Sequence, residues 1–214
     1  MAAQFPHSED ADPACGSTIG LALLDAGTGK LGAALLHLAD DLEEALGVYE
    51  RTFAPQQPDG IAQTRDIRVQ RIVPPIPSAA ESAGPEEAAR IAGALPGHVR
   101  PLYALAATDA YACTPAEHAL MRLAASCREA GVPWGGGLAC GGGSLIEPCA
   151  RSPRMGRMRR ARSERIDQLI AAIRSRRAVN DMIDGPVSGI LLAPCPLPAP
   201  LYPLATSFYE RHCP

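Results

Sequence analysis

The chain has little lysine, few aromatics and no long apolar run. Lys30 is its only lysine against nineteen arginines. A skew of that kind follows from genome composition and is no evidence for nucleic acid, and no nucleic-acid partner is expected. Aromatic residues make up 4% of the chain, so its core must be built from small aliphatic side chains, and packing decides more than bulk. No window approaches the roughly eighteen consecutive apolar residues of a membrane span, so no membrane partner is expected. Met1 to Gly16 has neither the basic start nor the apolar centre of a signal peptide. It reads as a loose tail, residues 1–16, ahead of a single domain at 17–214 in a cytoplasmic protein. The seven cysteines, at positions 15, 113, 127, 140, 149, 195 and 213, are odd in number and contain no C-x-x-C pair. They fit neither a disulfide framework nor a zinc ribbon. The histidines (His7, His37, His98, His118 and His212) show no metal-ligand spacing and read as structural or exposed, so no metal is expected.

What the chain does have is 214 residues, 47% of them hydrophobic, with a formal charge of −3, enough for one well-buried domain. Thr18 to Asp25 reads as a buried strand. Leu35, Leu38, Leu42 and Leu46 then recur at spacings of three and four, which predicts a helix over 31–46. Val48 to Ala54 reads as a weak second strand and Ile67 to Val73 as a third, joined by a connection of about the minimum length for a parallel crossover. Pro74 to Pro77 stops the third strand, and a short helix is expected over Glu86 to Leu95 behind Pro85. Arg100 to Ala107 is the next buried strand. Thr114-Pro-Ala-Glu117 has the form of a capping box and predicts a helix running to about Ala130 and ending at Gly131. Arg151 to Arg165 holds seven arginines in fifteen residues. It leads into an amphipathic helix with Ile166, Leu169, Ile170 and Ile173 on one face. Those arginines suit either phosphates or an acidic partner, or simply a solvated helix start. Ile190 to Leu192 reads as a last short strand and Leu201 to Arg211 as a closing helix.

Strands separated by helices indicate a parallel sheet covered on both faces, whose ligands bind beyond the carboxyl ends of the strands. That rim is formed by the loops at 26–32, 74–80 and 108–115. The glycine-rich segment Trp134 to Ile146 is a fourth candidate. Its six glycines suit a bend, a bulge or a ligand wall, or a turn with no ligand at all. Gly27-Thr-Gly29-Lys-Leu-Gly32 matches G-x-G-x-x-G between a strand and a helix, a phosphate cradle or merely a tight turn. Glu50 stands where a dinucleotide-binding fold places its ribose acid. Cys113 and Cys140 fall near the rim, as reactive thiols or as small buried residues.

The segments Tyr103-Ala-Leu, Glu129-Ala-Gly-Val-Pro-Trp134, Gly135 to Ile146 and Pro198-Ala-Pro-Leu-Tyr202 resemble, in order and spacing, the flavodoxin-like NAD(P)H-dependent oxidoreductases, small FMN-binding reductases. The resemblance covers about 100 residues of the second half. It implies a three-layer α/β fold with a five-stranded parallel sheet of order 2-1-3-4-5 and helices on both faces. It also implies FMN, with NAD(P)H as hydride donor and a homodimer as the assembly. Carried onto this chain, Gly27, Thr28, Gly29 and Lys30 would hold the FMN phosphate. The ring would lie between Pro75, Ile76 and Pro77 on one side and Thr108, Asp109, Ala110 and Tyr111 on the other. The chain departs from the family in offering Thr28 as the sole hydroxyl of its first loop. It also has Pro75-Ile-Pro77 and Ala107-Thr-Asp-Ala110 in place of the usual aromatic-bearing loops. Loss of flavin, leaving a binding or structural module, is the alternative these departures suggest.

Overall fold

A computed structural model describes residues 18–26, 32–52, 67–72, 101–151, 156–182 and 188–212. The expected tail, the first loop with Gly27 to Lys30, the 74–80 loop with Pro75 to Pro77, and the helix over Glu86 to Leu95 lie outside the described residues.

Five parallel strands form one sheet in the order 2-1-3-4-5. They are β1 (Thr18–Asp25), β2 (Arg68–Ile72), β3 (Leu102–Ala107), β4 (Trp134–Cys140) and β5 (Ile190–Ala193). The helices are α1 (Ala33–Thr52), α2 (Thr114–Glu129), α3 (Ile146–Arg151), α4 (Gly156–Ser175), α5 (Val179–Met182) and α6 (Tyr202–His212). Alternation along the strands divides the core in two. Ile19, Leu21, Leu23, Tyr103, Leu105 and Leu138 face α1 and α4. Ala22, Leu24, Ala104, Ala106 and Ala139 face α2. This is the period-two consequence of a sheet buried on both sides. Small residues on the second face let α2 approach closely.

Three local expectations are corrected. Val48 to Thr52 is no strand but the end of α1, because Tyr49 continues the buried spacing of Leu35, Leu38, Leu42 and Leu46 and packs against the same core. The strands after β1 are therefore renumbered: Arg68–Ile72 is the second, an edge strand separated from β3 by β1. Arg71 on that edge bridges Asp40 and Glu43 of α1, both at 2.6 Å. The capping box at Thr114 does not form, since Cys113 is the N-cap and makes no side-chain cap bond. The other end of α2 is as expected, with Ala130 as C-cap and Gly131 at φ +66°. The first half of the glycine-rich segment, Trp134–Cys140, is the fourth strand, and Gly141 to Gly143 turn out of it. A bulge between Trp134 and Gly136 admits it to the sheet, and Gly136, at φ +124°, takes a conformation that only glycine adopts without strain.

Candidate functional site

The connections from β1 leave it between β2 on one side and β3 on the other, so the strand order reverses at the β1/β3 rim, the usual place for a ligand in such sheets. An open cleft of about 310 Å³ lies there. Asp25 at the end of β1, Gly32 to Leu35 at the start of α1, Ala107 to Asp109 after β3, and Gly143, Ser144 and Glu147 after β4 form its walls.

Backbone bonds fix two of these walls to each other. The Gly142 N–H donates to the Ala110 carbonyl and the Gly143 N–H to the Thr108 carbonyl, each at 2.8 Å. Gly142 is left-handed at φ +68°, which turns the chain sharply enough for both bonds. Within the 108–112 loop the Ala110 N–H donates to Thr108 Oγ1 at 3.2 Å, and the Ser144 hydroxyl donates to Asp109 Oδ1 at 3.1 Å. A Cβ on Gly143 would lie 2.8 Å from that carboxylate oxygen, so Asp109 and the turn are packed with no room between them.

The carboxyl-terminal segment closes over the same corner. Tyr202 donates its hydroxyl to the Asp109 carbonyl, and Tyr111 donates to the Leu197 carbonyl at 2.9 Å. The two rings meet edge to face with centroids 5.6 Å apart. Burial pushes the Tyr202 phenol above its ordinary range.

Of the site residues expected from sequence, the described structure brings Thr108 and Asp109 to the cleft, with Ala110 and Tyr111 in the loop beside them. Glu50 is corrected. It lies on α1, seventeen residues after Ala33, or about 25 Å down the helix axis, and accepts from Arg174 at 3.0 Å. It cannot receive a ribose at the rim, which removes the ribose acid of the dinucleotide-binding reading. The two thiols are also settled. Cys140 is wholly buried and pushed up to about 12, while half-buried Cys113 is raised by burial, so neither has the low thiol pKa of a reactive cysteine.

Asp25, Ser144, Glu147 and Tyr202 were missed. The first two were legible as residues that end a strand or follow a glycine turn. Tyr202, within the Pro198–Tyr202 segment of the resemblance, reaches the corner from the far end of the chain, and nothing local marks its contact with Asp109. Chemically, the cleft presents three carboxylates and two hydroxyls, and no basic residue among its described lining residues. No described helix is long and apolar enough to cross a membrane. Comparison with known proteins finds no matching family model, no matching curated protein and no matching solved structure.

Proposed function

We propose that this protein is an FMN-dependent oxidoreductase that takes hydride from a nicotinamide, with the flavin seated at the β1/β3 rim. The observation that carries the reading is the open cleft at the switch point of a 2-1-3-4-5 parallel sheet. In this reading Gly27, Thr28, Gly29 and Lys30, with the first turn of α1, hold the phosphate. Thr108 to Tyr111 flank one side of the ring and Pro75 to Pro77 the other. Bound flavin supplies the hydride-accepting chemistry, and the protein supplies binding and orientation. Thr108 and Ser144 offer hydroxyls to polar ring edges. The same reading expects a cytoplasmic homodimer.

One observation favours a second reading, a flavodoxin-like binding module without flavin. Asp25, Asp109 and Glu147 surround the cleft, and a carboxylate wall opposes both a phosphate dianion and an electron-rich reduced ring. Titration of the purified protein with FMN, followed by flavin absorbance and fluorescence, separates the two. Saturable quenching that is lost in Gly29→Leu and strengthened in Asp109→Asn supports the oxidoreductase. A colourless protein that leaves the FMN spectrum unchanged ends that reading and leaves the module.

A further inference from the structure

Helix α4 carries an arginine where its pattern calls for an apolar residue. Ile166, Leu169, Ile170 and Ile173 form its buried stripe, and Arg162, one turn before Ile166, lies on the same face at 6% exposure. It is the one buried basic residue among the described residues. Its height on the sheet follows from Tyr103, near the start of β3, whose hydroxyl meets the Ala172 and Arg177 carbonyls, both at 3.0 Å. Those bonds set the end of α4 over the amino edge of the sheet, so its start, with Arg162, lies at the rim. There the arginine is close enough to Cys140, the last residue of β4, for its charge to act on the thiol.

Three other arginines of this helix have partners: Arg160 pairs with Glu164, Arg165 with Gln168 and Arg174 with Glu50. Arg162 has no acceptor among the described residues. A guanidinium cannot escape burial by losing its proton, so an unpaired one is among the costliest groups a core can hold. It is not sealed in, however. A residual 6% of its surface stays open to solvent. A buried, permanently charged donor fork that solvent reaches and no described residue pairs has the properties of an oxyanion receptor.

We propose that Arg162 forms an anion-binding site at the rim, between the end of β4 and the start of α4, that takes a phosphate-type oxyanion of a small ligand. Arg162 does not line the acid-walled cleft, so this site is additional to it. The test compares thermal melts in inorganic phosphate and in chloride at equal ionic strength for the wild type, Arg162→Met and Arg162→Lys. Phosphate at about tenfold over its Kd raises the wild-type Tm by about 3–6 °C. Arg162→Met, of similar length and uncharged, melts above the wild type in chloride and ignores phosphate. Arg162→Lys keeps the charge without the fork and binds at least about tenfold more weakly. A wild type that melts alike in both salts overturns the proposal, as does an Arg162→Met that responds like the wild type. Should Arg162→Met not fold, calorimetry of phosphate binding to the wild type and Arg162→Lys decides, and equal affinities overturn the site. An FMN titration run beside it separates this proposal from the flavin reading. Protein that binds phosphate through Arg162 and ignores FMN keeps the site and ends the flavin reading. Protein that binds FMN equally with and without Arg162, and does not respond to phosphate, does the reverse.

Discussion

Gly135 to Gly137 and Gly141 to Gly143 are alike in sequence, three residues apart, and serve opposite ends of β4. The lower triplet makes room in the core. A Cβ on Gly135 would lie 2.6 Å from the Tyr103 ring, and one on Gly136 would lie 2.5 Å from Val179 and 2.8 Å from the Gly189 carbonyl. The upper triplet makes room at the rim: a Cβ on Gly141 would meet the Tyr111 carbonyl at 2.6 Å, one on Gly142 the Cys195 thiol at 2.9 Å, and Gly143 is hemmed in by Thr108 and Asp109. One triplet thus sets how tightly the core closes and the other where the cleft wall stands. Equal composition does not imply equal role, because what fills the space left by a missing side chain comes from other parts of the chain.

The largest test of this contrast is Gly136→Ala, which combines overpacking with a positive φ and should cost about 3–5 kcal/mol in chemical denaturation. A loss below about 1 kcal/mol would place Gly136 in the same class as the turn glycines. Next is Tyr103→Phe, which leaves the Ala172 and Arg177 carbonyls without this donor at the foot of the sheet. A loss of about 1–2 kcal/mol is expected, with the cleft unaltered.

A pH series probes both layers of the core at once. Cys127 on the buried face of α2 and Cys140 on the α1/α4 side are each pushed up to about 12 by burial, from an ordinary 9.0. In the unfolded chain they ionise first, so the stability they contribute is whole below pH about 9 and is lost as the pH rises toward 12. The expected slope is up to about 1.4 kcal/mol per pH unit for each thiol, and the double variant Cys127→Ala/Cys140→Ala should flatten it. An unchanged slope would show that other groups dominate alkaline unfolding.

Gly143→Ala should cost stability by only about 1 kcal/mol, since the Asp109 side chain can yield, yet it should reshape the cleft wall. Any ligand of the cleft, FMN first, should then bind about tenfold more weakly, read by the same flavin titration. The smallest effect is expected from Arg174→Met. It removes a half-exposed pair with Glu50 and a stacking contact over Tyr49 at 5.7 Å, remote from both triplets, and a loss below about 1 kcal/mol is expected.

Legibility in the sequence followed the range of the interactions. β1, β3, β5, the end of α2 and the buried face of α4 were readable because each is declared by neighbours a few residues away. The end of α1 was misread because Val48 to Ala54 has strand-like composition, while the contact that decides the matter, Tyr49 against the core, is tertiary. That single error displaced the strand numbering and with it the assignment of loops to the rim. The resemblance of the second half supplied the sheet order that periodicity could not.

Residue by residue, the sequence alone determined alternation, helix faces and the places where glycine must sit, since these depend on local sterics and on which side of an element is apolar. Only the folded chain decided that Glu50 pairs with Arg174 far from the rim and that Asp25, Asp109 and Glu147 converge on one cleft. It also decided that Arg162 is buried without a partner. Each depends on which surfaces meet across the sheet, and that is set by packing between segments up to a hundred residues or more apart.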